Sequence, residues 1–93
     1  MLESDRHAAF LGASLDPSLF TIDLHQAGDL HTALEEFDRG LDRAVQARAR
    51  TCRVIYGVGA GILSREIHQK LNKNKNLQGW QEEETGGSAI VLL

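Results

Sequence analysis

Hydrophobic and polar residues alternate strictly between residues 20 and 25. The apolar side chains fall at the even positions, and the polar ones, which end with Asp23 and His25, fall at the odd positions. Because successive side chains of a β-strand point to opposite faces, this pattern predicts a strand with one buried face. Asp23 and His25 are then expected to project together from the other face, at the C-terminal end of the strand.

A helical period follows this strand. Residues 26–28 are expected to turn the chain, and Asp29 is well placed as the N-cap of a helix. Apolar residues recur at helical spacing from Leu30 onward, which predicts a helix through about Ala49. Gly40 weakens that helix by up to ~1 kcal/mol relative to alanine. Either a close backbone contact requires this glycine, or the fold simply tolerates it.

A second strand and helix follow in the middle of the chain. Residues 53–56 form a nearly continuous apolar run, which is typical of a central strand covered on both faces. A glycine-rich segment, residues 57–61, comes next. Leu63, Ile67 and Leu71 are then spaced at i, i+4 and i+8, which predicts a second helix.

The remaining residues predict two more strands and complete the topology. One strand is expected around residues 77–83 and another at 89–93, joined by a turn at 85–87. The order β-α-β-α-β-β predicts an α/β two-layer sandwich, a four-stranded mixed sheet with two helices, because strand–helix–strand units favour parallel pairing and close strands favour a hairpin. Residues 1–19 show no sustained period. We therefore expect an N-terminal arm at 1–19, with a short helical turn near residues 8–11, and a domain at 20–93.

Composition restricts the class of protein. With 93 residues, 42% of them hydrophobic and 25% charged, the chain is expected to form one globular domain. The single cysteine, Cys52, excludes an intrachain disulfide and a cysteine-based zinc cluster. No apolar run approaches the ~18 residues that a membrane span requires, and the N-terminus lacks the order of a signal peptide. These features lead us to expect a cytoplasmic protein without a membrane partner.

Charge is segregated along the chain, although the net charge is only −3. Residues 1–38 hold eight acidic residues and one basic residue, residues 39–75 hold nine basic and two acidic residues, and residues 76–93 add three glutamates. A basic middle segment can contact nucleic-acid phosphates while the whole chain stays acidic. These basic side chains can equally be exposed to solvent without binding a partner, since clustering along the chain does not by itself make a surface patch.

The glycine-rich segment is the strongest local signal of a ligand site. Gly57, Gly59 and Gly61 would let backbone amides approach a ligand closely, and the N-terminus of the next helix favours negative charge. Arg65, one turn into that helix, is close enough in sequence to meet the same anion. The segment lacks the lysine and Ser/Thr of a P-loop and the spacing of a dinucleotide site. Two interpretations therefore stay open, a phosphate-binding loop and a purely structural turn.

Asp23, His25 and Tyr56 are the other candidates for chemistry. An aspartate two positions before a histidine can orient the imidazole for proton transfer, or share with it a divalent metal ion such as magnesium or manganese. Tyr56 ends the neighbouring strand, where ligand crevices form in open α/β sheets, and its hydroxyl can hydrogen-bond a phosphate. The alternatives are a polar, solvent-facing strand end and a packed tyrosine ring.

Three segments of the chain, in this order, resemble the Smr (small MutS-related) family. Residues 22–25, Ile-Asp-Leu-His, resemble the family's opening L-D-L-H-G strand. Residues 56–63 resemble its H-G-K-G-x-G-x-L-R element, and residues 86–93 resemble its closing glycine-rich turn and last strand. The match extends from about residue 20 to residue 93. It implies a fold similar to the C-terminal domain of a bacterial translation initiation factor, in agreement with the element order above.

The resemblance implies nucleic-acid binding and, in some members, endonuclease or nicking activity on DNA or RNA. The chain departs from the family pattern at several positions. Gln26 replaces the glycine of the first motif, Tyr56 the histidine of the second and Val58 its lysine, while Ser64 stands where arginine is usual and Arg65 follows it. Tyrosine has a pKa near 10 and is a poor general base at neutral pH.

Two functions therefore compete. The first is a nucleic-acid-binding domain whose partner is DNA or RNA, with endonuclease (nicking) activity left open. The second is a catalytically degenerate protein-interaction or accessory domain, which the negative net charge and the altered motifs favour. The first is preferred because the Asp–His pair and the glycines are retained. The candidate residues are, for catalysis, Asp23, His25 and Tyr56 and, for phosphate binding, Gly57, Gly59, Gly61 and Arg65.

Overall fold

The structure is a computed structural model that describes residues 3–58 and 61–93. Seven elements follow one another: α1 (Glu3–Ser14), β1 (Phe20–Asp23), α2 (Leu30–Gln46), β2 (Thr51–Ile55), α3 (Ile62–Lys73), β3 (Gly79–Glu82) and β4 (Ser88–Leu92). From β1 onward this is the predicted order β-α-β-α-β-β. Within the described residues, no helix combines the length and the apolar character that crossing a membrane would need.

The four strands form one mixed sheet in the order β1-β2-β4-β3. β1 and β2 are parallel, with Ile22 opposite Val54. β4 is antiparallel to both of its neighbours, β2 and β3. The predicted α/β class and four-stranded mixed sheet are thus confirmed. The parallel pair also brings the C-terminal ends of β1 and β2 to the same edge of the sheet.

The main hydrophobic core lies between the sheet and the two helices α2 and α3. Ile22, Val54 and Val91 come from three different strands and are at most 4% exposed. Phe37 of α2 and Ile67 of α3 pack against them and are equally buried. The apolar side chains recur every 2 residues in the strands and every 3.6 residues in the helices, and these are the spacings that predicted the elements.

Helix α2 begins as predicted and lies unusually close to β1. The Asp29 carboxylate caps the helix by accepting a hydrogen bond from the backbone N–H of Thr32 at 2.8 Å. A Cβ atom at Gly40 would lie only 2.7–2.9 Å from three carbons of the buried Ile22 side chain. The glycine inside this helix is therefore required by a close contact between helix and strand.

The N-terminal segment contains more structure than the sequence predicted. A short helical turn was expected near residues 8–11, whereas the structure has the twelve-residue helix α1. Its alanine-rich sequence holds one large aromatic residue, Phe10, so its apolar stripe is too narrow to produce a clear period. The division into an arm at residues 1–19 and a domain at 20–93 stays a prediction.

Helix α1 packs on the face of the sheet opposite to α2 and α3. Phe10 and Ala13 of α1 contact Ile90 and Leu92 of β4. These two β4 residues alternate with those that face the main core, and every residue of β4 is buried. The two-layer arrangement is therefore extended by a helix on its second face, which explains the continuous apolar run of the last strand.

Helix α2 ends at Gln46, three residues earlier than predicted, because the backbone there turns into the left-handed region. Arg48 has a φ of +59°. Its amide donates to the carbonyl of Val45 at 3.0 Å, and the amide of Ala49 donates to the carbonyl of Ala44 at 2.9 Å. This pair of bonds is a Schellman motif, in which glycine usually occupies the left-handed position. Arginine occupies it here.

The strands also differ from their predicted limits at the ends. β1 ends at Asp23 instead of residue 25, and β3 spans Gly79–Glu82 instead of residues 77–83. Before β3, the amide of Leu77 donates to the carbonyl of Asn74 in a turn, so the apolar side chain of Leu77 packs on the core from a loop. The pattern of apolar and polar side chains therefore predicted the buried residues better than it predicted where each strand begins and ends.

Candidate functional site

Asp23 and His25 lie together at the end of β1, as their spacing predicted. The backbone N–H of Leu24 still donates to Ile55 of β2 at 2.7 Å, and the chain then turns, with the amide of Ala27 donating to Leu24. Oδ1 of Asp23 receives both the backbone N–H of His25, at 3.1 Å, and a direct hydrogen bond from the Nδ1 atom of its ring. Nε2 is thereby directed away from the carboxylate.

The pair is accessible to solvent and to ligands. The side chains of His25 and Asp23 are 47% and 46% exposed. The hydrogen bond from the imidazole lowers the pKa of Asp23 below its ordinary value. The carboxylate therefore stays charged at neutral pH and holds the imidazole of His25 in one orientation.

The beginning of the glycine-rich segment lies directly against His25. Gly57 has a φ of +86°, and a Cβ atom added to it would lie 3.4 Å from Cβ of His25. The closing turn approaches from the other side, since a Cβ at Gly87 would come within 3.1 Å of the Val58 side chain. Both the Tyr56 and the Gly57 amides donate to the Gly87 carbonyl, at 3.0 and 2.9 Å. The three segments that resemble the family motifs thus converge at one edge of the sheet.

The predicted phosphate-binding residues differ in whether they have a free amide or a positive charge for an anion. The amide of Gly57 is already used by the Gly87 carbonyl, so it is not available to an anion. Gly59 lies outside the described residues. Gly61, with a φ of +84°, is the N-cap of α3 and has no side chain with which to cap it. Arg65 is exposed on the first turn of α3, and its backbone N–H donates to the Gly61 carbonyl. Of the predicted phosphate-binding groups, the exposed Arg65 side chain on the first turn of α3 is therefore the one that carries a positive charge, and its role in phosphate binding stays a prediction.

A shallow cleft of about 350 Å³ lies beside the Asp23–His25 pair. It is lined by Asp23, His25, Arg53, Ile55, Gly57, Val58, Thr85, Gly87 and Ser88. Strand alternation explains its polar side, because Asp23 and Arg53 lie on the face of the sheet opposite to Ile22 and Val54. Arg53 was not among the predicted site residues, although the same alternation across the β1–β2 pair could have identified it.

The Arg53 guanidinium is occupied by an ion pair. Its Nε and Nη2 atoms donate to the two carboxylate oxygens of Glu83 at 2.7 and 3.1 Å, and Nη2 also donates to the Ser14 carbonyl. Ser14 and Ser88 donate their hydroxyls to the same carboxylate, each at 2.7 Å. Burial raises the pKa of Glu83, but these hydrogen bonds outweigh it, and the net pKa is lowered. Arg53 thus connects α1, β2 and the β3–β4 turn, and it brings little free positive charge to the cleft.

Tyr56 does not join Asp23 and His25. Its side chain is 5% exposed and points into the core on the other face of the sheet, where its hydroxyl is 2.8 Å from Nε2 of His68. The His68 ring stacks on Trp80 with a centroid separation of 4.7 Å. Burial, followed by the negative charge of Glu82, raises the pKa of Tyr56 above its ordinary value. A catalytic role for Tyr56 stays a prediction, and the structure separates this residue from the exposed pair.

Metal-binding groups are sparse in this region. Among residues 3–58 and 61–93, no three His, Cys, Asp or Glu side chains are grouped so that they could hold a metal ion. Asp23 and His25 supply two ligands, and the Glu83 carboxylate is taken by Arg53. A magnesium or manganese ion at the cleft would therefore depend on oxygen atoms of a bound phosphate to complete its coordination.

Known proteins resemble this chain over the region that contains these three segments. A model of the Smr domain matches residues 22–93 of the chain. Endonuclease MutS2 of Aquifex aeolicus is 27% identical over 67 residues, which cover 70% of this chain and 9% of that protein. Endonuclease MutS2 of Thermomicrobium roseum is 34% identical over 67 residues, which cover 72% of this chain and 8% of that protein. The chain therefore spans less than a tenth of the length of these relatives.

The fold agrees with a solved structure of the same kind of domain. The crystal structure of the Smr domain of Thermus thermophilus MutS2 matches with a TM-score of 0.72 at 26% sequence identity. The match covers 81% of this chain and 98% of that domain. Sequence, motif order and topology lead to the same conclusion, namely that the chain belongs to the Smr domain family.

Proposed function

We propose that this Smr domain binds the phosphate backbone of DNA or RNA at the cleft between β1, β2 and the β3–β4 turn, and that His25, oriented by Asp23, carries phosphodiester cleavage there. The observation that supports the proposal most directly is the contact of Gly57 with His25. It puts the exposed imidazole next to the loop that leads into the N-terminus of α3. A phosphate bound in the cleft would lie next to this imidazole, and Arg65 on the first turn of α3 is proposed to contact a neighbouring phosphate.

Cleavage requires two proton transfers, one from the attacking water to His25 and one from His25 to the leaving sugar oxygen. Nε2 of His25 takes a proton from a water molecule as the water oxygen bonds to phosphorus. The imidazolium then gives this proton to the sugar oxygen as its bond to phosphorus breaks. The charged Asp23 carboxylate stabilises the imidazolium between these two steps. General acid–base catalysis of this kind contributes typically ~10²–10⁴-fold to a rate.

A nicking assay tests the proposal. Supercoiled plasmid and a structured RNA are incubated with the wild-type protein and with a His25→Ala variant, in magnesium, in manganese and in a chelator. We expect His25→Ala to lose cleavage by at least about 100-fold, because the variant lacks the imidazole that moves the proton. Activity that disappears in chelator would show that a divalent ion assists the reaction.

His31 provides a matched control. It is also an exposed imidazole next to a carboxylate, with Nε2 2.6 Å from Glu35, but it lies in the first turn of helix α2 and does not line the cleft. His31→Ala should cleave at the wild-type rate. Equal activity of wild type and His25→Ala would eliminate the assignment of chemistry to the cleft. Binding by both proteins without any cleavage would leave the binding half of the proposal and reject the enzymatic half.

A further inference from the structure

The structure separates the basic residues of the middle segment into two groups. Arg53 is paired with Glu83, and Lys70 with Asp38 at 3.2 Å. Arg39 is 3.4 Å from Glu35. A second group is exposed and forms no ion pair within the described part of the chain, and four of its members lie at the end of the sheet opposite to the cleft. We name this set the basic end: Arg48, Arg50, Lys73 and Lys75.

Topology explains why these four residues come together. Helices α2 and α3 both begin near the cleft, follow the C-terminal ends of β1 and β2, and run back along the sheet. Their C-terminal ends, and the loops that follow them, therefore lie at the far edge. Arg48 and Arg50 belong to the loop after α2, and Lys73 and Lys75 flank the end of α3.

Backbone hydrogen bonds attach both loops to the end of β4. The amide of Leu93 donates to the Arg50 carbonyl at 2.9 Å, and the amide of Gln78 donates to the Leu92 carbonyl at 2.8 Å. A groove of about 680 Å³ lies between the two loops, with Gln46 on one side and Asn74 on the other. Lys73 and Lys75 flank Asn74 in the sequence and Arg48 lies two residues beyond Gln46, so these basic residues belong to the segments that border the groove. Asp38 and Asp42 also line the groove, and Lys70 pairs with the former.

Arg48 carries a conformational cost at this surface. Its φ of +59° belongs to the left-handed region, which glycine adopts freely and which costs a residue with a side chain of order 1 kcal/mol. Glycine would complete the Schellman motif without that cost. The fold thus keeps a guanidinium where the backbone favours glycine, and a ligand for the guanidinium is a physical reason for this.

The cleft, by contrast, offers little attraction to a polyanion. Its lining contains Asp23, and its Arg53 is neutralised by Glu83. The β3–β4 turn adds the exposed Glu84 next to Thr85, which lines the cleft. We infer that the basic end is a second nucleic-acid contact, which binds backbone phosphates and supplies the affinity, while the cleft supplies the chemistry. This inference rests on the proposed function, because it takes nucleic acid as the ligand of the cleft.

The Arg48→Gly variant tests the inference without the risk of misfolding. The thermal midpoint should rise, because glycine relieves the left-handed strain. The affinity for a short DNA duplex and for a hairpin RNA should fall roughly three- to ten-fold at low salt. The slope of log affinity against log salt should become shallower by about one, as expected for the loss of one phosphate contact. A Lys73→Ala/Lys75→Ala double variant should reduce the slope by about two.

Arg39→Ala is the matched control, since it removes one exposed arginine on α2 away from the basic end. It should leave affinity and salt slope unchanged. Wild-type affinity in both basic-end variants, or an equal loss in Arg39→Ala, would overturn the inference. A polyglutamate peptide that binds in an Arg48-dependent manner, with no nucleic-acid binding there, would replace it with an acidic protein partner.

The two proposals fail in different ways. Loss of cleavage in His25→Ala together with unchanged affinity in Arg48→Gly would leave the proposed function intact and reject the basic end. A wild-type protein that binds neither DNA nor RNA would reject both.

Discussion

His25 and His68 lie on opposite faces of the same sheet, and their surroundings differ in every respect that matters for chemistry. His25 is half exposed, bonded to a carboxylate and adjacent to the glycine-rich segment. His68 is bonded to the buried hydroxyl of Tyr56 and stacked on Trp80. The open face therefore holds an accessible imidazole, whereas the covered face uses its histidine to satisfy a buried tyrosine.

The same difference extends to how each face is packed. On the covered face, apolar side chains of α2 and α3 fill the space against the sheet. On the open face, α1 contributes a small apolar cluster, and the ion pair between Arg53 and Glu83 anchors its end at Ser14. We expect substitutions on the covered face to act through volume, and those on the open face to act through charge.

The largest effect is expected from Gly40→Ala on the covered face. The added methyl would meet three carbons of Ile22, which is 4% exposed and cannot move aside. Overpacking of this kind should lower the free energy of unfolding by about 2–3 kcal/mol, measured by urea denaturation. Gly12→Ala in α1 is the control, because no atom lies within 4 Å of its added methyl. It should stabilise the protein by about 0.5–1 kcal/mol, and equal effects at both glycines would contradict the contrast in packing.

A smaller effect is expected from Glu83→Gln on the open face. The amide keeps the shape of the side chain but removes the charge that Arg53 and two hydroxyls stabilise. The free energy of unfolding should therefore fall by about 1.5 kcal/mol at pH 7. Because the pKa of Glu83 is lowered in the folded protein, this contribution is present above the ordinary pKa of glutamate. It is lost as the pH falls below about 4.3.

Unfolding of Glu83→Gln and wild type should therefore be compared from pH 7 down to acid, with Glu84→Gln as the control. Glu84 is exposed, and its variant should behave as wild type throughout. The difference in the free energy of unfolding between Glu83→Gln and wild type should disappear in acid. A difference that persists when the carboxylates are protonated would show that the Glu83 charge is not its cause.

Residues whose environment is set by local periodicity could be predicted from the sequence. The alternation at residues 20–25 predicted both the buried Ile22 and the exposed Asp23–His25 pair, and the structure has them so. The N-cap Asp29 could be predicted for the same reason, since its partner Thr32 is three residues away. Such contacts follow from residue spacing along a single element, so the sequence pattern is enough to predict them.

Contacts between distant segments could not be predicted in this way. Nothing near Tyr56 in sequence indicates that its hydroxyl would meet His68 on the covered face, because that contact depends on how α3 crosses the sheet. The anchoring of α1 through Arg53 and Glu83 joins residues 14, 53 and 83, and no local period connects them. The amide of Gly57 was expected to meet a phosphate, yet the Gly87 carbonyl accepts it.

The smallest effect is expected from Tyr56→Phe, which separates the two histidine environments most cleanly. Loss of the hydrogen bond between the Tyr56 hydroxyl and His68 should cost about 1 kcal/mol of stability. Cleavage should not change, since the pair at His25 lies on the other face. His25→Ala should show the opposite behaviour, with lost cleavage and an unchanged thermal midpoint.

The loss of stability at alkaline pH provides a second measurement on Tyr56. Burial raises the pKa of Tyr56 in the folded protein, so the neutral phenol favours folding. This contribution is complete below the unfolded pKa of about 10 and is lost as the pH rises above it. Wild type should therefore lose stability above about pH 10 more steeply than Tyr56→Phe, which has no phenol to ionise. Parallel alkaline curves would contradict the burial of the phenol, whereas a Tyr56→Phe variant that no longer cleaves would assign the tyrosine to the cleavage site.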